Sequence, residues 1–435
     1  MKDVGYLNTM PKEEFLERRK KLINLLPENS LSFIFSSKEQ TRNSDCEFKF
    51  RQNSYFWYVT GFNEPDSILV IEKSNSKIET TMFLREVDPL METWYGKRLG
   101  TKKAPESLGV DKAYNINDFM VIIKEKISKE NLSIVLDESI EPWATKYKEE
   151  LDLKINSTFK DILDEMRLFK SENEKKLLAR AGEISASGHL RAMKNTRPGI
   201  YEYNIEHEII YEFSRHGALY PSYNTIVAGG DNANTLHYTE NDQLLQNNEL
   251  VLVDAGCEFD YYAGDITRTY PVSGKFTEPQ KEIYSLVLKS QKAALDFLKP
   301  GVTLQEASDL VIEILTQGLI DLGIIKESFE KAIEEKLYRE FYMHGLGHWI
   351  GLDVHDVGAY RSDKSRLLEL GMALTVEPGL YISKKLDVPE KYKGIGIRIE
   401  DDIIITELGN KVLTSLVPKE INDIEEIMKN SYKEI

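Results

Sequence analysis

The stretch 249–272, ELVLVDAGCEFDYYAGDITRTYPV, constrains the fold more than any other part of the chain. Its two apolar runs separated by turn residues read as a β-hairpin that carries two aspartates inward. Asp254 closes the run 250–253 and Asp265 opens the next one, so the two acids sit at matching ends of two strands. With the turn at Phe259-Asp260, Asp254 faces Asp265 directly, with Cβ atoms roughly 5 Å apart. Two facing carboxylates repel each other unless a cation or a shared proton lies between them. Solvated turn acids seldom end an apolar run, which favours the inward reading.

The chain around this hairpin has 435 residues, enough for two or three domains, each with a core of its own. A formal net charge of -16 argues against nucleic acid or an anionic membrane as partner, since neither attracts an acidic surface. No apolar segment precedes the first charges, and nowhere do about 18 apolar residues run together, so neither a secretory signal nor a membrane span is expected. These features point to a cytoplasmic enzyme. Two cysteines, Cys46 and Cys257, are too few for a disulfide framework and are expected as reduced core thiols.

Helices and strands alternate up to about residue 165. The pattern predicts a helix over 15–26, a strand over 31–35 and a strand pair at 67–71 and 80–84, together an α/β layer domain of modest size. Tyr55, Phe56, Trp57 and Tyr58, within FRQNSYFWYVTGF, are expected in its core. Trp94, in ETWYGKRLG, has Glu92, Lys97 and Arg98 for neighbours and is expected exposed, as at a contact surface. Ser171-Glu172-Asn173-Glu174 forms a capping-box pattern that opens a long amphipathic helix with Leu177, Leu178, Ala181 and Ile184 on one face. The domain boundary is placed near 170, giving an N-terminal domain over 1–170 and a second over 171–435.

The first long helix stops before Arg197-Pro198-Gly199. A second, capped by Thr277 and with Ile283, Val287 and Leu295 along its core side, stops before Lys299-Pro300-Gly301. RPGIYEYNIEHEI and KPGVTLQEASDLV thus each follow one helix and open another. Strands are expected after each pair, at 225–228, 249–257 and 261–272, then at 373–377 and 395–406. The second domain therefore reads as two related α-α-β halves whose strands form one sheet backed by helices, an α+β fold.

Candidate ligands crowd the second half. His344, His348 and His355 lie in FYMHGLGHWIGLDVHDVG, Glu377 ends MALTVE, and Glu400 lies in the alternating run GIGIRIEDDIII. No glutamate follows the first histidine, and Gly345, Gly347 and Gly351 disfavour helix, so a helical HExxH zinc site is excluded. Arg398, Glu400 and Asp402 share one face of their strand. A buried carboxylate without a partner costs several kcal/mol or stays protonated, so a cation beside Glu400 is expected.

The set VDAGCEFDYYAGDITRTYPV, HGLGHWIGLDVHD, TVEPGLY and GIRIEDD closely resembles the aminopeptidase P branch of the pita-bread, or methionine-aminopeptidase-like, metallopeptidase family. FRQNSYFWYVTGF and WYGKRLG resemble that branch's N-terminal domain, so the likeness covers nearly the whole chain. The resemblance implies a dinuclear centre held by Asp254, Asp265, His348, Glu377 and Glu400. It implies that His237, His344 and His355 surround the substrate and that Tyr381 and Arg398 support the site. It matches Trp94 to a tryptophan that in some members reaches a neighbouring subunit's active site. Trp94 and the polar N-terminal domain suggest a homodimer or homotetramer in which that domain shields a neighbour's site.

Four carboxylates and one imidazole suit hard divalent ions, which points to two manganese ions per chain. The expected reaction removes the N-terminal residue from a peptide with proline in second position. A metal-bridging hydroxide attacks the carbonyl, Glu377 relays its proton, and a protonated His344 or His355 donates to the oxyanion. Two other readings stand beside it: a prolidase acting on Xaa-Pro dipeptides, and a pita-bread module that binds peptides without cleaving them. A creatinase-like amidinohydrolase shares the fold but lacks this ligand set. His189, His207 and His216 are expected to be structural.

Overall fold

The computed structural model describes residues 10–74, 77–129, 131–360 and 365–429. The chain divides into two compact units, Met1–Met166 and Arg167–Ile435, a few residues before the boundary expected at 170.

In the first unit six strands form a mixed sheet in the order Lys112–Asn115, Lys77–Leu84, Ile68–Ser74, Ser30–Phe35, Ser133–Val135, Ile155–Ser157. The long apolar strands, rich in Ile, Val and Phe, take the middle. Ser30–Phe35 is buried along its whole length because it pairs antiparallel to Ile68–Ser74 on one side and parallel to Ser133–Val135 on the other. The expected aromatic core is present: Asn53 caps the helix Ser54–Thr60, all seven of whose residues are buried, and Trp57 meets Phe15 edge-to-face at 5.3 Å. Trp94 lies on the helix Pro89–Tyr95, which buries none of its residues, and is 75% exposed.

Two long helix pairs organise the second unit: Glu172–Asn195 with Glu202–Arg215, and Glu278–Phe297 with Leu304–Asp321. Capping boxes at Ser171, Thr277 and Thr303 satisfy the first backbone donors and fix where three of these helices begin. Ala181, Ile184, Ile283, Val287 and Val311 turn their apolar faces into one continuous core. Each fully buried Leu, Ile or Val there contributes roughly 1.5–3 kcal/mol over an exposed one.

The strands do not form the single sheet expected. Ile226–Gly229, Leu250–Asp254 and Thr267–Pro271 make one antiparallel ladder; Ala373–Val376, Asp401–Ile405 and Asn410–Val412 make another. The expected strand 395–406 breaks at Ile399-Glu400, and its first part, Ile395–Arg398, pairs with Gly379–Ile382 instead. The halves are joined by the Glu400 N–H donating to Thr267 O at 3.0 Å and by the Thr269 hydroxyl donating to Arg398 O.

The hairpin register also differs from expectation. Leu250 pairs with Pro271 and Asp254 with Thr267, so the two aspartates are not directly opposed. The turn falls at Asp260-Tyr261, both with positive φ (51° and 74°), as a two-residue turn matched to strand twist requires. The resulting slip is two residues, and an even slip keeps every side chain on its face, so both aspartates still point the same way. Between the aspartates and the turn the two backbones cross closely: a Cβ at Gly256 would lie 1.7 Å from Gly264 O. Cys257 is buried, but Cys46, expected in a core, is exposed on a short hairpin; both are free thiols. Among the described residues no helix is long and apolar enough to cross a membrane.

Candidate active site

The two aspartates meet through a residue that no motif marked. The Tyr223 hydroxyl lies 2.5 Å from Asp254 Oδ1 and 2.6 Å from Asp265 Oδ1. Both carboxylates are buried, at 8% and 4% exposure, and Arg398 donates to the other oxygen of Asp254 at 2.5 Å. Burial and the two carboxylates push the Tyr223 phenol well above its usual range, so it is a fixed hydrogen-bond donor.

The second half brings the remaining acids to the same place. The Thr375 N–H donates to His348 O and the Glu377 N–H to Leu346 O, which sets the histidine loop against the strand Ala373–Val376. Gly347 allows that approach, because a Cβ there would stand 2.0 Å from Thr375 O. His348 Nδ1 lies 3.0 Å from Trp349 O, which makes it the protonated nitrogen and turns Nε2 toward the acids. Nε2 is then 3.4 Å from Asp265 Oδ2 and 3.6 Å from Glu377 Oε1. Glu400 joins across the halves, where the Thr267 hydroxyl donates to its Oε2 at 2.6 Å. Asp265, His348 and Glu400 each offer a ligand atom, all within 4.8 Å of one another.

The electrostatics follow from so many acids in little solvent. Burial raises Asp265 from its ordinary value and Glu400 well above its own, and pushes Glu377 up to about 7. Burial alone would lower His348, but the bond to Asp265 and its charge raise it to about 9. Such a cluster has too little positive charge for its acids. The donor set, oxygen-rich with one imidazole aimed inward, fits divalent cations.

The flanking residues that the resemblance implied make contacts of their own. The Tyr381 hydroxyl is 2.8 Å from His344 Nε2 and accepts from Arg398 at 3.0 Å. Since Arg398 donates to it, Tyr381 gives its own proton to His344, whose Nδ1–H bonds Gly345 O at 2.8 Å. Burial and Arg398 lower His344 to about 4. Both of its nitrogens are thus engaged, and burial favours its neutral form. His355 meets the His348 ring at 4.3 Å and is also lowered, first by partial burial and then by the charge of His348. His237 is exposed, close enough for its charge to act on both His344 and His355. His189 is buried against Ala255 O, His207 lies against the carbonyl of Tyr203 and His216 against Glu212, all structural as expected. Trp94 belongs to the N-terminal unit.

Residues 176–407, more than half of the chain, match metallopeptidase family M24, and residues 15–135 match the aminopeptidase P N-terminal domain. A Haemophilus influenzae protein named Xaa-Pro aminopeptidase is 53% identical over 98% of this chain and 99% of its own length. The chain belongs to the M24 metallopeptidases, in their aminopeptidase P branch. The Escherichia coli Xaa-Pro aminopeptidase is 46% identical, covering 98% of this chain and all of its own. A solved structure described as zinc-substituted E. coli aminopeptidase P in complex with product superposes with a TM-score of 0.95 over 98% of this chain and 100% of that one, at 46% identity. Proline aminopeptidase P II from Yersinia pestis gives 0.94 over 97% and 100%, at 45% identity. The chain is accordingly a metal-dependent aminopeptidase with the pita-bread fold.

Two residues of this M24 site, Thr267 and Tyr223, were not singled out in the sequence, and a third, Asp402, was given no role there. Thr267 was within reach, since it lies two positions after Asp265 and so on the same face of its strand. Asp402 was placed on the right face, and its Oδ2 accepts the Asp265 N–H at 2.9 Å, which anchors that aspartate's backbone. Tyr223 had no local signal, because it reaches the aspartates from a loop more than thirty residues upstream.

Proposed function

We propose that the chain removes the first residue from peptides whose second residue is proline, with two divalent ions per chain, manganese foremost. The observation that carries this reading is the convergence of Asp265, His348 and Glu400, beside Asp254 and Glu377, in a chain of which 98% aligns with a protein named Xaa-Pro aminopeptidase. These five side chains would hold the ions. Bound there, divalent ions polarise a peptide carbonyl and make water nucleophilic near neutral pH.

The chain's own groups do the rest. Glu377 takes the proton of the attacking water and passes it to the leaving nitrogen. Arg398 holds both Asp254 and Tyr381, and Tyr381 in turn fixes the His344 ring. With both His344 nitrogens engaged, the hydrogen bond to the developing oxyanion falls to His355, and His237 lines the substrate's path. Exposed Trp94 supports an assembly of two or four subunits in which it contacts a neighbour's substrate.

The test is a panel of Xaa-Pro-Xaa tripeptides and matching Xaa-Pro dipeptides, given to chelator-treated protein with and without manganese. Release of the first residue from the tripeptides, restored by manganese, supports the reading. Turnover confined to dipeptides replaces it with a prolidase. Fewer than about one bound ion per chain together with no turnover replaces it with a peptide-binding module.

A further inference from the structure

Behind the substrate side of the site lies a buried acid that the reaction does not use. Glu202, the first residue of the helix Glu202–Arg215, is fully buried. Its Oε1 accepts from the Gly229 N–H at 2.7 Å and from Asn232 Nδ2 at 3.0 Å. Its Oε2 accepts from the Tyr238 hydroxyl at 2.8 Å and from the Gln243 N–H at 3.0 Å. All four partners belong to one segment, 229–243, which carries His237. A carboxylate at a helix N-terminus is also where the helix dipole favours negative charge.

That segment reaches the site at two further points. Tyr238 lies in one apolar cluster with Tyr381, Ala233 and Leu252. Ala233 covers Gly396, on the strand that ends at Arg398: a Cβ there would be 2.7 Å from the Ala233 Cβ. One carboxylate thus ties together both ends and the middle of a loop that bears His237 and leans on Tyr381 and the Arg398 strand. The matching helix of the second half has no such residue. Its Glu306, exposed, bonds only back to Thr303 in its own cap.

We propose that Glu202 is the positioning residue for His237, holding the loop 229–243 at the distance from which His237 meets substrate. This rests on the reading of His237 as a substrate-side residue. An amide cannot replace the carboxylate, because a glutamine can face only one donor pair with its oxygen and sets two N–H groups against the other. A shift of about 1 Å in a positioning loop lowers turnover by up to about a hundredfold.

The experiment is a double-mutant cycle of Glu202→Gln with His237→Ala on a proline-second tripeptide, with Tyr238→Phe as the milder loop variant. Bound metal and thermal midpoint are measured for each. Glu202→Gln should lower kcat/KM by about tenfold or more, with the loss divided between kcat and KM as in His237→Ala. The double variant should be no worse than the poorer single one. Tyr238→Phe should show a smaller loss, again masked by His237→Ala, and it decides the matter if Glu202→Gln does not fold. Metal content should stay unchanged throughout. Losses that multiply with that of His237→Ala, or a folded Glu202→Gln within about twofold of the parent, overturn the proposal. If His237→Ala itself matches the parent, the reading of His237 fails, and the proposal with it.

Discussion

Asp401 and Asp402 are neighbours on one buried strand, and they titrate in opposite directions. Burial would raise Asp401, but Arg268 and Lys419 hold it down to about 2. Its partners are complete: Arg268 at 2.7 Å, Lys419 at 2.6 Å, Gln291 at 2.8 Å and the Thr414 hydroxyl at 2.8 Å. Asp402, on the other face, is pushed well above the carboxylate range by burial and by Asp265, and one of its oxygens has no hydrogen-bond partner. The strand thus separates two electrostatic regimes. Behind it the protein neutralises its acids with its own cations; in front it gathers acids and leaves the positive charge to come from elsewhere. Arg268 links the two faces, since it also donates to the carbonyls of Glu400 and Thr267.

The contrast can be broken from either side. The largest effect is expected in front, where His348→Ala should lower kcat/KM on the order of a thousandfold or more and weaken one metal site. Full turnover by that variant would remove the assignment. Behind the strand, Arg268→Met leaves Asp401 buried with one cation fewer and should destabilise the fold by about 3–5 kcal/mol. Denaturant unfolding measures this loss, and adding Asp401→Leu should recover much of it; if the double variant is no better than the single, the pair is not what holds this face.

A third test concerns a buried base. Burial lowers His189 to about 4, against about 6.5 in an unfolded chain. The unfolded state therefore takes up the proton first, and stability is lost as pH falls from about 6.5 to 4, by roughly 3 kcal/mol in total. His189→Gln, which keeps a donor for Ala255 O, should flatten that part of a stability–pH curve. An unchanged slope would show that another group governs it. The smallest effect is in front again. Glu377 at about 7 and His348 at about 9 must lose protons to bind metal, so affinity for manganese should rise with pH up to about 9, by up to about tenfold per unit for each group still protonated: both below about 7, His348 alone between about 7 and 9. Calorimetry in buffers of different ionisation enthalpy reads the protons directly, and none released would contradict the assignment of these two ligands.

The residues alone pointed to Asp254 and Asp265 as acids on one face and to a cation beside Glu400, because acids that end apolar runs have few other uses; the full set of five candidate ligands came from the resemblance to aminopeptidase P. Two helix starts were legible from Ser171 and Thr277, whose caps are local. The hairpin register was not, since it hangs on Asp260 and Tyr261 adopting positive φ, and tyrosine gives no warning of that. Tyr223 and Glu202 were invisible for a different reason: each acts on partners far along the chain, and only the folded topology brings them together. The hydrogen bond from Tyr381 to His344 was beyond reach for the same cause, as it depends on Arg398 filling the other side of that hydroxyl. The single sheet expected from two matching halves failed at Ile399-Glu400, where the backbone leaves one ladder for another so that Glu400 can turn toward Thr267.

The close crossing at Gly256 and Gly264 has a consequence for how this site tolerates change. Core side chains can trade volume with their neighbours, and a site mounted on them would drift as those exchanges accumulate. The hairpin between Asp254 and Asp265 is instead pinched backbone against backbone, with a carbonyl oxygen where any β-carbon on residue 256 would have to go. The separation of the two acids is thereby tied to the thickness of a peptide chain, a dimension that no substitution can alter. A random library across this hairpin should accept many exchanges among its apolar residues and return glycine alone at 256.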